Sequence, residues 1–212
     1  MFAINHAATA LIIKKEFAYV PIVWLLISVQ FMEIVWVILN FLGVERTTTE
    51  KEVRYVGDVH LSHMPFSHSI VTMVGVALLA WLILSRGLGR PDIGLAVGIG
   101  VISHLILDLI THSNDIGIAP FIGGPKFGLG LYARCPMVAF VLEIGYGIFC
   151  WWIYKGGWAL FAVVVVFNLA NISMFSSRVA GIEKYMANRP LLISAVILAQ
   201  ILITLIFVGI FS

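Results

Sequence analysis

The residues best equipped for chemistry lie in one stretch, Ser103-His104-Leu105-Ile106-Leu107-Asp108-Leu109-Ile110-Thr111-His112. Side chains four apart on an α-helix are neighbours on one face. His104, Asp108 and His112 therefore form a polar stripe within an arc of about 80°. An imidazole and a carboxylate one turn apart can ligate a divalent cation, and the next turn could serve a second ion. Ionisable groups inside an apolar segment are costly, face the interior of a bundle and mark functional sites. For any single pair, the plainer alternative is a buried His–Asp hydrogen bond that joins two helices. Three such residues on one stripe favour a site.

Other ionisable groups join the stripe. His63 and His68 stand just before and at the start of an apolar segment, Glu33 lies inside the first long one, and Glu143 lies under two turns into a later one. His60 is further into a loop with no fixed register, and His6 sits in a short apolar run near the start.

The elements that must position these groups follow from composition. Of 212 residues, 61% are hydrophobic and 11% charged, against about 25% charged in a soluble domain. The apolar excess falls in runs at 18–43, 70–85, 92–112, 137–154, 158–176 and 191–211. At about 1.5 Å per residue each can cross a hydrocarbon core about 30 Å thick, though 70–85 is slightly short. In lipid the backbone must satisfy its own hydrogen bonds, so these runs are helices. The run at 2–13 is too short to span and reads as a half-helix that dips into the bundle. With no charge before it and no small-residue cleavage site after it, it is expected to be retained rather than removed as a secretory signal. The expected fold is all-α, a polytopic transmembrane bundle of about six spanning helices plus this short N-terminal half-helix. It forms a single integral membrane domain over 1–212.

Net charge is only +2, which gives no ground for a nucleic-acid partner. Cys135 and Cys150 lack metal-binding or disulfide spacing and read as packing residues. Gly123-Gly124-Pro125-Lys126 lacks the spacing of a phosphate-binding loop. Counting six spans places the loops 44–69, 113–136 and 177–190 on one side, side B. The excess of Lys and Arg there favours it as the cytoplasmic side. The C-terminal end of the His104–His112 stripe, His63, His68, Glu33 and Glu143 all converge on side B, which places a metal site at that membrane face.

These residues also carry a resemblance. Asn5-His6-Ala7-Ala8, His63-Met64-Pro65-Phe66-Ser67-His68-Ser69, Ser103-His104-Leu105-Ile106-Leu107-Asp108 and the later Glu143 occur in that order. The chain resembles the YdjM/YbcI-type family of bacterial and archaeal inner-membrane metal-dependent hydrolases. That family's pattern runs Thr-His-Ala-Ala, His-Arg-Gly-x-Thr-His-Ser, Ser-His-x-x-x-Asp and a late Glu. Two departures stand out: Met64-Pro65 replaces Arg-Gly, and Glu33 substitutes for the Asp of a Pro-Asp pair in the first long helix. The residues' own reading makes His63, His68, His104 and Asp108 metal ligands, and the resemblance adds His6. Glu143 or Glu33 is then a further ligand or a base for the attacking water, with His112 on the substrate side.

Imidazole and carboxylate donors suit zinc first, with manganese or iron as alternatives. The expected activity is hydrolysis of a phosphoester or other ester of a lipid or amphipathic substrate by a metal-activated water. The bilayer is the expected partner, and the inner membrane the expected location. A transporter for a metal ion or small solute is the alternative, since intramembrane His and Asp also line ion paths. A structural protein glued by polar contacts is the third reading. Polar groups crowded on side B argue for a pocket closed at one end.

Overall fold

In the computed structural model, which describes residues 1–212, the chain folds into helices with one small sheet. In chain order these are α1 (Ala3–Glu16), α2 (Ile22–Phe41), β1 (Arg46–Thr49), β2 (Val59–His63), α3 (Ile70–Leu82) and α4 (Pro91–Thr111). They continue with the short α5 (Leu131–Arg134), then α6 (Pro136–Tyr154), α7 (Trp158–Ala170) and α8 (Pro190–Phe211). Prolines occupy the first helical position of α4, α6 and α8. There the missing N–H removes no hydrogen bond and the fixed φ suits the helix.

Five helices are long and apolar enough to cross a membrane: α2, α3 with the π turn Ile83–Gly87 that extends it, α4, α6 and α8. The sixth apolar helix, α7, is shorter and continues into a 3-10 turn over Ile172–Met174. The architecture is the all-α membrane bundle expected. The run expected as one helix over 18–43 begins later, because the chain turns between Phe17 and Pro21 before α2 starts.

α1 is the half-helix. Its 14 residues reach roughly 21 Å, short of a span. Every residue from Ile4 to Leu11 is buried, as is Ile13, so the helix is enclosed on all sides. A helix without an exposed face belongs in a protein interior. It packs against α2, α4, α6, α7 and α8, with Ala7, Ala8 and Ala10 fully buried and small enough to let neighbours approach. Its first turn lies level with the C-terminal end of α4, and Lys14 and Lys15 lie at the opposite face.

α2 and α4 approach closely at Gly100, where a Cβ would fall 2.0 Å from Ser28 Oγ and 2.9 Å from Ser28 Cβ. That contact brings the next turn of α4, with His104, against the backbone of α2. Beneath this level the bundle is closed by a continuous apolar cluster that includes Leu11, Leu25, Leu84, Ile93, Val97, Leu160 and Val208.

The sheet lay outside the sequence expectation, which treated 44–68 as a charged connection. β1 and β2 pair antiparallel, with Arg46 opposite His63 and Thr49 opposite Val59. Buried Thr47 donates to Asn40 Oδ1 at 3.0 Å, which ties the hairpin to the end of α2. Val59 and Leu61 pack onto the cluster of Trp36, Val37, Met64, Met186 and Ile193. The hairpin thus forms a cap over side B.

Candidate metal centre

Four side chains from two helices and one turn meet at the side-B end of α1. Glu33 comes from α2, His68 from the turn before α3, and His104 and Asp108 from one face of α4. One ligand atom from each lies within 4.8 Å of every other. His104 Nε2 is 3.0 Å from Asp108 Oδ2, and His68 Nε2 is 3.4 Å from the same oxygen. Glu33 Oε2 is 3.6 Å from His68 Nε2 and 3.7 Å from His104 Nε2. Two ligands on one ion, each about 2.0–2.2 Å from it, sit roughly 3.4 Å apart in a tetrahedron. The separations of 3.4, 3.6 and 3.7 Å match such an edge better than they match hydrogen bonds, and the 3.0 Å pair is short enough for either.

The far side of each imidazole is fixed. His104 Nδ1 is 2.9 Å from the Val29 carbonyl. A carbonyl only accepts, so Nδ1 carries the proton and Nε2 presents its lone pair to the cluster. His68 is set by a longer relay. Glu45, 1% exposed, accepts from the Phe66 and Ser67 amides at 2.9 Å each and from the Ser67 hydroxyl at 2.5 Å. The hydroxyl has one proton and gives it to Glu45, so at 2.8 Å from His68 Nδ1 its oxygen accepts. His68 Nε2 is thereby left for the cluster. Outer partners of this kind select the tautomer and raise the basicity of a ligating histidine.

Nothing else satisfies the inward-facing atoms. His68 Nε2, His104 Nε2 and Asp108 Oδ2 are buried without hydrogen-bond partners, as are both ring nitrogens of His6. Buried polar groups in folded proteins are almost always paired. Burial lowers the pKa of His68, but the Asp108 and Glu33 carboxylates outweigh it and raise the value to about 10. The turn therefore holds a positive charge where a cation would sit.

The remaining expected residues fall in several places. His6 joins the site from α1: its Nε2 is 3.4 Å from Asp108 Oδ1, and its ring stacks on His104 at 4.1 Å between centroids. His112 lies beside the cluster, with Nε2 3.7 Å from Asp108 Oδ1. Glu33, expected as base or ligand, stands among the four converging groups. Glu143 does not. It accepts from Tyr132 Oη, Asn5 Nδ2 and the Phe2 amide, the last at 3.3 Å, and so anchors the start of α1. Burial and the Glu143 charge push the Tyr132 hydroxyl well above its usual pKa, which keeps it a donor.

His63 is not brought to the site. It ends β2, exposed and opposite Arg46, and the next residue, Met64, turns inward against Trp36. The strand and the turn at 65–68 point His63 and His68 to different places. His60 pairs with Glu50 at 3.0 Å on the exposed hairpin. Sequence reasoning missed Glu45, Ser67, Tyr132 and Asn5. Ser67 and Asn5 lie inside the histidine motifs, where a polar neighbour is a usable signal; Glu45 reads as the first residue of a charged loop and carries none.

A cavity of about 130 Å³ opens from the cluster, with His6, Glu33, Trp36, His112, Asp115 and Tyr132 among its walls. Of the four converging residues Glu33 alone lines it, His6 and His112 add polar wall, and Val59, Leu61 and Ile197 add apolar wall.

The sequence model of the YdjM inner membrane protein family matches residues 8–180. That range takes in His68, His104, Asp108 and Glu143 and begins just after His6. No curated protein and no solved structure matches the chain.

Proposed function

The chain belongs to the YdjM inner membrane protein family, and on that premise we propose that it is a membrane-embedded metal-dependent hydrolase. The observation that carries the reading is the set of inward-facing, unpartnered ligand atoms of His68, His104 and Asp108, with Glu33 completing it beside a cavity. Two nitrogens and two carboxylates fit zinc, with manganese and iron also compatible. A divalent ion bound there supplies Lewis acidity and makes water nucleophilic near neutral pH.

The chain's own residues do the rest. His68 and His104 are held in the ligating tautomer by Glu45 through Ser67 and by the Val29 carbonyl. Glu33, with its side chain 21% exposed, reaches from the cluster to the cavity, where its carboxylate can take a proton from an attacking water. Apolar wall from Val59, Leu61 and Ile197 beside polar wall from Glu33, His6 and His112 favours an amphipathic ester, phosphoester first, drawn from the bilayer.

Two rivals are weaker on the same geometry. A transport path requires polar groups to continue across the bundle, yet the level beneath the cluster is the apolar core around Leu11, Leu25, Val97 and Leu160. Structural glue would consume hydrogen-bonding capacity, whereas here five imidazole and carboxylate atoms stay unpartnered.

Elemental analysis of the purified protein in detergent tests the proposal. Stoichiometric divalent metal is expected, retained by His63→Ala and lost from His104→Ala with Asp108→Ala. Hydrolysis of a chromogenic phosphoester amphiphile should fall on chelation and return with zinc. Metal-free wild type that still hydrolyses the ester overturns it, as does wild type that cannot be loaded.

A further inference from the structure

Asp108 has two carboxylate oxygens, and the four-residue cluster uses one. Oδ2 faces His104 and His68 at 3.0 and 3.4 Å. Oδ1 faces another pair, His6 Nε2 at 3.4 Å and His112 Nε2 at 3.7 Å. His6 is 1% exposed, and neither of its ring nitrogens has a hydrogen-bond partner. His112 Nδ1 is 3.5 Å from Asp115 Oδ1, itself buried without a hydrogen-bond partner. The Met1 ammonium lies 2.6 Å from Asp108 Oδ1 and 3.0 Å from Thr111 Oγ1.

We propose that a second divalent cation binds at Asp108 Oδ1 between His6 and His112, so that Asp108 bridges two ions. The inference rests on the hydrolase reading, because the first ion is the one held by Glu33, His68 and His104. The first ion draws on Asp108 Oδ2, while His6 and His112 face Oδ1 and so stand outside its set of ligands. Their distances to Oδ1 again match the ligand–ligand edge of about 3.4 Å expected around one ion. Asp115 Oδ1 lies 3.5 Å from His112 Nδ1, on the side from which an outer carboxylate orients a ligating histidine. A bridging carboxylate holds its two ions about 3.5–4 Å apart, the spacing with which paired ions grip both the attacking and the leaving oxygen of a phosphoester. The second site narrows the substrate class accordingly: a phosphoester, rather than a carboxylic ester, uses both ions.

The test is metal counting on the full chain in detergent, loaded with Mn(II) and freed of excess ion. Wild type is expected to hold two ions per chain and to give the electron paramagnetic resonance signal of a spin-coupled pair. His6→Gln and the double variant His112→Ala with Asp115→Asn should each hold one ion, with an uncoupled signal. His112 and Asp115 are 14% and 18% exposed, so the double variant leaves the core intact and tests the site even if His6→Gln misfolds. One uncoupled ion in wild type overturns the second site and leaves the hydrolase reading standing, and so does retention of two ions in the double variant. No ion in wild type overturns both.

Discussion

Removing one hydroxyl that touches no ligand cavity should weaken metal binding tenfold or more. In Ser67→Ala, Glu45 keeps the Phe66 and Ser67 amides on Oε1, so the turn before α3 keeps its backbone. What disappears is the oxygen between Glu45 Oε2 and His68 Nδ1, held at 2.5 and 2.8 Å in the native protein. His68 then has no acceptor for its Nδ1 proton, and the tautomer with a free Nε2 loses its preference. Loss of such an outer partner lowers metal affinity about 10–100-fold, or about 1.4–2.7 kcal/mol. The folded ion-free protein should lose only about 1 kcal/mol, the value of one ordinary hydrogen bond. The assay is competition for Zn(II) against a chromophoric chelator, with thermal unfolding of the ion-free protein measured alongside. Glu45→Gln keeps an acceptor but removes the charge, so it should fall between wild type and Ser67→Ala. Affinity within twofold of wild type in Ser67→Ala would refute the relay. A stability loss that equals the whole affinity loss would show that Ser67 supports the fold and not the ligand.

Metal affinity should also fall with pH. In the ion-free protein His68 holds its proton up to about 10, and an ion at Nε2 must displace it. Affinity therefore rises with pH below that value, by about tenfold per unit for one proton released. Between pH 8 and pH 6 isothermal titration should record a loss of at least about 100-fold; a change under threefold contradicts the assignment. A third prediction concerns α1. A Cβ at Gly147 would lie 2.8 Å from both Asn5 Oδ1 and Val164 Cγ1 and 3.1 Å from Asn168 Nδ2. Gly147→Ala should cost about 1–3 kcal/mol by overpacking, read by unfolding in detergent. Gly145→Ala, where a Cβ meets nothing within 4 Å, should be neutral or slightly stabilising.

The membrane class and the polar stripe of His104 and Asp108 were legible without a structure, because both are local. A run of apolar residues long enough to span is a helix whatever surrounds it, since lipid offers the backbone no other partner. His104 and Asp108 share a face through the helical repeat alone. The half-helix was legible too, because an apolar run over 2–13 is too short to reach across a bilayer. Its depth was not: only packing against five other helices puts His6 on Asp108 instead of at the opposite face.

Tertiary structure also decided which ionisable groups meet. Glu33, far from His104 and Asp108 in the chain, belongs to the cluster because Gly100 lets α2 lie against α4. His63, five residues from His68, is excluded because a strand end and a turn send the two side chains apart. Glu143 faces the interior as its position implied, yet neighbouring donors engage it and make it the anchor of α1. Spacing along one element is set by backbone geometry and can be read from residues in order. Convergence between elements depends on side-chain volumes at helix contacts and on where loops reverse, and no single segment of this sequence contains that information.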